Sequence, residues 1–134
     1  MRPWLGILLV AIGGAVGAVT RHASNELLRR LLEGKLSRSW PVSTLLVNVV
    51  GCFAMGCLMA FVRRGALSEE WRLLLVTGGL GALTTFSAFS FETLLLAREE
   101  SFSLAFANVA ANVLLSLLAV WLGWWLAGGN APLA

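Results

Sequence analysis

Four apolar runs of similar length, at about residues 3–20, 42–62, 73–96 and 102–126, occupy most of this 134-residue chain and leave little for a water-soluble fold. Each approaches the roughly 20 residues that a helix needs to cross the hydrocarbon core of a bilayer. Charged residues make up 13% of the chain, where a soluble domain carries roughly a quarter. The expected fold is therefore an all-α membrane protein, a single four-helix transmembrane domain over residues 1–134. Its helices lie at about 3–32, 42–62, 73–96 and 102–126, the first prolonged beyond its apolar run by residues 24–32. Arg2 ahead of an apolar run has the look of a signal peptide, but the run is too long and no A-x-A site follows it.

Orientation in a bilayer follows the Lys and Arg content of short loops. One side carries Arg2, Arg63, Arg64 and Arg72; the other carries Arg21, Arg29, Arg30, Lys35, Arg38 and Arg98. With Arg21 at the membrane boundary the two sides nearly balance, so the chain is expected to insert both ways. The net charge of +3 belongs to loop arginines near headgroups, and no soluble basic surface suggests nucleic acid as a partner. The six tryptophans, at 4, 40, 71, 121, 124 and 125, fall mostly near the ends of the runs, as an aromatic belt does. Cys52 and Cys57 lie five apart without a neighbouring His or Asp, and read as inert packing residues.

Polar groups inside the runs are costly in lipid and locate the functional candidates. In the first run Gly13, Gly17 and Arg21 recur at spacing four. The glycines suit close helix contact, and Arg21 either draws anions to a vestibule or pairs with a Glu. In the second, Thr44 and Asn48 share a face; the buried amide must find a partner helix or offer N–H donors to a passing anion. In the fourth, Asn108, Asn112 and Ser116 form one stripe, either a polar track or a hydrogen-bonded seam.

The third run is the least regular. Gly78, Gly79 and Gly81 followed by Thr84 and Thr85 weaken it where it should be mid-membrane, and a break there needs its freed carbonyls buried in protein or bound to a ligand. Carbonyl oxygens converging on one point make a cation site. Beyond them Phe86 and Phe89 share one face, with Ser87 and Ser90 on an adjoining one. Phenyl edges carry the positive part of the ring quadrupole and can face a small anion without trapping it.

The stretches "GGAVGAVTR", "PVSTLLVNVVG" and "GGLGALTTFSAFSFE", in this order in a chain of this length, resemble the Fluc (CrcB) fluoride channel family. The resemblance covers essentially the whole chain. It implies a four-helix subunit, with helix 3 broken near mid-membrane, that assembles as an antiparallel, dual-topology homodimer in the plasma (inner) membrane. Two pores would let fluoride leave the cell passively, protecting it from fluoride toxicity. By the same resemblance Phe86 and Phe89 are pore phenylalanines and Asn48 the pore amide. Thr44, Ser87, Ser90, Glu92, Asn108, Asn112 and Ser116 are expected along the polar lining, and Arg21 near a vestibule. Gly81 and Thr84 would give backbone carbonyls to a structural Na+ at the dimer interface. Two departures stand out: the chain has no Tyr, offering Asn108 early in helix 4 where the family usually has an aromatic hydroxyl, and Ala88 precedes the second Phe where Thr is frequent.

Other classes fit less well. A proton-coupled drug exporter of this size needs an embedded carboxylate in helix 1, which has none. A membrane enzyme needs a nucleophile with its base or a metal cluster, and the lone His22 at the helix 1 boundary supplies neither. A purely structural subunit explains Gly13 and Gly17 but not the buried amides.

Overall fold

A computed structural model describes residues 2–32 and 40–130. Lys35 and Arg38, counted above among the loop charges, lie outside the described residues. The described chain is helical, and four spans are long and apolar enough to cross a membrane. They are α1 (Pro3–Leu32), α2 (Val42–Arg63), a composite third span over Glu69–Glu100, and a final helix over Phe102–Leu126. The third span consists of α3 (Glu69–Trp71), a π-helix (Arg72–Leu80), α4 (Gly81–Leu83), α5 (Phe86–Leu95) and a second π-helix (Leu96–Glu100). The final helix is α6.

The third span is longer than its apolar run at both ends. Hydropathy marks only the part that suits lipid, whereas the backbone stays helical into the polar margin. Glu69 and Glu70 sit in the first turn, where the helix dipole favours negative charge, and Glu69 also pairs with Arg72 at 2.6 Å. α1, at 30 residues, would reach about 45 Å, more than a hydrocarbon core of about 30 Å, and its last turns carry Glu26 bonded to Arg29 and Arg30.

Glycines decide which spans touch. A Cβ on Gly13 would overlap the Leu74 carbonyl, one on Gly17 the Gly79 carbonyl, and one on Gly78 the Val10 carbonyl, so α1 and the third span meet backbone to backbone. Gly56 stands in the same way against the Val120 carbonyl and Gly123 against that of Phe53. Gly13 meets Leu74 and Gly79 while Gly17 meets Gly79 and Ala82, so α1 runs parallel to the third span; Asn48 bonds Asn112 and Gly56 meets Val120, so α2 runs parallel to α6. Without a hydrophobic drive between helices in lipid, such close approach is what holds a bundle together. At its end α6 turns through Gly128, whose φ of 75° favours glycine, and the Gly129 N–H returns to the Trp124 carbonyl at 2.8 Å. Arg63 of α2 donates to the Gly129 carbonyl and lies over the Trp124 ring.

What this packing encloses is unusually polar. Between 11% and 28% of each span's most apolar window is buried, so the outer faces, with Ile7, Val16, Val19, Phe102 and Leu114, are left for lipid or another chain. The largest fully buried side chains are Asn108 and Thr44.

Gly123→Val should lower stability by about 3 kcal/mol or more, because its methyls meet backbone that cannot yield. Gly14→Ala should leave the melting temperature in detergent unchanged, since a Cβ there meets nothing within 4 Å.

Candidate functional site

The site starts from two residues of the third span that leave the helical conformation. Of the residues expected to weaken the span, Gly78, Gly79 and Gly81 lie in helical backbone, Gly81 with φ −60° and ψ −34°. Thr84 (ψ 155°) and Thr85 (φ −148°, ψ 122°) are extended instead. The Thr85 N–H, which in a continuous helix would bond the Gly81 carbonyl, donates to Asn48 Oδ1 at 2.9 Å. The Ala88 N–H, the helical partner of the Thr84 carbonyl, donates to Thr85 Oγ1 at 3.2 Å, so Thr85 caps α5. Asn48 Nδ2 completes the clasp by donating to the Thr85 carbonyl at 3.2 Å. One buried carboxamide therefore pairs with both polar groups of one peptide residue.

The same Nδ2 also reaches Asn112 Oδ1 at 3.2 Å, and the network continues through α6. Asn112 donates to Asn108 Oδ1 at 3.0 Å and to the Asn108 carbonyl, and Asn108 donates to Thr93 Oγ1 at 2.8 Å. Thr93 in turn donates to the Phe89 carbonyl at 2.7 Å. One turn before Asn48, Thr44 donates to Glu92 Oε1 at 2.7 Å; the other Glu92 oxygen is buried and has no partner among the described residues. The α6 stripe is thus a hydrogen-bonded seam at Asn108 and Asn112.

Beside this seam opens a cleft of about 340 Å³ lined by three walls. Asn48 and Cys52 form one, residues Thr84, Thr85, Phe86 and Phe89 the second, and Asn112, Val113, Ser116 and Leu117 the third. The Phe86 and Phe89 rings meet edge to face, with centroids 5.3 Å apart, and differ sharply in exposure, at 78% and 7%. Amide, hydroxyl and phenyl side chains line this space.

Not all the expected residues gather here. Thr44, Glu92 and Asn108 belong to the polar network but do not line the cleft. Ser87 bonds the Thr85 hydroxyl at 3.1 Å, and the Ser90 hydroxyl turns back to the Phe86 carbonyl at 2.8 Å on an exposed face. Arg21 stands apart, half-buried on the α1 stripe of Gly13 and Gly17, and among the described residues it makes no salt bridge. Thr93 and Cys52 were not expected in these roles. Thr93 is four residues past Phe89, a spacing that puts it on the same face, and Cys52 is four past Asn48.

Residues 8–124 match the family described as CrcB-like protein, Camphor Resistance (CrcB). The chain is similar to the fluoride-specific ion channel FluC of Shewanella amazonensis, with 44% identity over 117 residues, 87% of this chain and 91% of that one. Its similarity to the FluC proteins of Dehalococcoides mccartyi and Vibrio cholerae is 45% over 118 and 119 residues, 87% of this chain and 88% and 91% of theirs.

Removing the Asn48 carboxamide leaves the Thr85 peptide groups and Asn112 without their partner, at a cost of about 1–3 kcal/mol. Asn48→Ala should accordingly melt earlier than the native chain, and amide hydrogen exchange at Thr85 should accelerate relative to that at Val47.

Proposed function

The chain belongs to the CrcB family, and from that membership we propose that it is a fluoride-selective channel through which the ion leaves the cell passively. Relatives sharing most of its length carry the name of an ion channel rather than of an enzyme. The observation that carries the reading is the cleft in which a buried amide and two phenylalanines face one space. Fluoride is small and strongly hydrated, so a path must replace water with donors while holding the ion loosely enough to release it. In this reading a passing ion competes for the N–H groups of Asn48 and Asn112, which in its absence bond Thr85, Asn112 and Asn108, while Ser116 offers a hydroxyl and Phe86 and Phe89 the positive edges of their rings. Thr44, Glu92 and Asn108 extend the polar network beyond the cleft toward one end, Ser87 and Ser90 are assigned to the ion's path by the family pattern alone, and Arg21 raises the local anion concentration at a vestibule.

The functional unit in this reading is an antiparallel, dual-topology homodimer in the plasma membrane, with two pores. The exposed apolar faces and the near balance of loop arginines support it. The extended residues Thr84 and Thr85 form a break at mid-membrane depth. The carbonyls of Gly81 and Thr84 suit a structural sodium ion, because both helical N–H partners are diverted, one to Asn48 and the other to the Thr85 hydroxyl. A bound cation would supply the positive charge that those carbonyl dipoles favour at the subunit interface. The driving force for export is the electrochemical gradient alone.

Liposomes loaded with potassium fluoride and containing the purified chain should lose fluoride rapidly once valinomycin releases the potassium, while chloride stays inside. Phe86→Ile and Asn48→Asp should each abolish the loss. Retention of fluoride by folded, membrane-inserted protein would contradict the reading.

A further inference from the structure

Three residues of α2 recur at spacing four, Thr44, Asn48 and Cys52, and three of α6 do the same, Asn108, Asn112 and Ser116. The two helices run parallel and Asn48 bonds Asn112, so the stripes meet level by level. At the first two levels the polar groups are held within the protein: Thr44 by Glu92, Asn108 by Thr93, and Asn48 by Thr85 and Asn112. The third level differs. Cys52 and Ser116 both line the cleft, and neither the thiol nor the hydroxyl has a hydrogen-bond partner among the described residues. One turn further Gly56 meets the Val120 carbonyl, and the two helix backbones come into contact there, so this is the last polar level of the seam before α2 and α6 close on each other. The other thiol, Cys57, is absent from the lining, and its backbone N–H faces Gly123.

We propose that Cys52, paired with Ser116, forms the last ion-facing level of the conduction path, and that a group attached to its sulfur closes that path. The inference rests on the cleft being the fluoride route. A thiol is a weak donor, which suits a position where the ion must be released rather than held. Chemical closure is straightforward. With a quaternary-ammonium methanethiosulfonate, the Cys52 thiolate attacks the sulfenyl sulfur. A new S–S bond forms, the S–SO2 bond breaks, and methanesulfinate leaves with the electron pair, the thiol proton having gone to buffer.

The test uses full-length protein in liposomes, with fluoride loss measured before and after the reagent and the modified residue identified by mass spectrometry. The expected result is an adduct on Cys52, loss of fluoride efflux, and its return after dithiothreitol. Cys57→Ala should keep both its flow and its sensitivity, while fluoride loss through Cys52→Ser, whatever its rate, should be the same with and without the reagent. Fluoride that leaves undiminished through fully labelled protein, a Cys52 that never reacts, or inhibition that persists in Cys52→Ser would each overturn the proposal while leaving the channel intact. Should the serine variant fail to fold, the native and Cys57→Ala proteins give the same decision. An untreated chain that holds its fluoride would instead defeat the channel reading, and this inference with it.

Discussion

A single carboxamide makes the rest of this arrangement possible. In lipid a peptide group without a partner costs several kcal/mol, on the order of a whole hydrogen bond and more, so a spanning helix cannot simply stop and restart. Asn48 removes that penalty for Thr85 by accepting from its N–H and donating to its carbonyl. The third span can then extend through Thr84 and Thr85, and Thr85 is free to cap the next segment with its hydroxyl. Because α5 begins there, Phe86 and Phe89 are presented to the cleft side by side, and the carbonyls of Gly81 and Thr84 lose their helical donors.

The surrounding packing serves that junction. Backbone contacts at Gly13, Gly17 and Gly78 fix the third span against α1, and those at Gly56 and Gly123 fix α2 against α6. Only with both pairs held this closely does the Asn48 amide lie within reach of Thr85 and Asn112 at once. The polar network is thereby buried where most bundles keep aliphatic side chains, and the aliphatic surface is turned outward. Away from the Thr85 junction, bonds between spans such as that of Asn108 to Thr93 stabilise little on their own in a membrane. In the reading proposed above, the stripe of buried amides beside an open cleft serves an ion's route.

Much of this was legible in the chain itself. Four runs of spanning length gave the four helices, and spacing four put Asn108, Asn112 and Ser116 on one face. Gly13 and Gly17 meet backbone as their spacing suggested. Sequence left the α6 stripe undecided between a track and a seam; the structure has both, a seam at Asn108 and Asn112 and a cleft-facing hydroxyl at Ser116. Other features were hidden for physical reasons. The π-helix over Arg72–Leu80 carries the same apolar composition as an α-helix, and differs only in which carbonyl each N–H selects. Of the stretch expected to weaken the third span, Gly78, Gly79 and Gly81 serve close contact or remain helical, and only Thr84 and Thr85 are extended. Cys52 looked inert because a thiol is small and apolar, and only its neighbours reveal that it faces a cavity. Thr93 is distant from Asn108 by fifteen residues and a helix turnaround, a distance no local pattern spans.

The central claim is that the cleft beside Asn48 passes fluoride and excludes chloride. The most direct measurement is the reversal potential across a planar bilayer containing the purified chain, with a fluoride gradient imposed and chloride equal on both sides. The account predicts current that reverses at the fluoride equilibrium potential and does not move when a chloride gradient is added. Reversal that follows chloride, or a membrane that carries no current with the folded protein inserted, would contradict it.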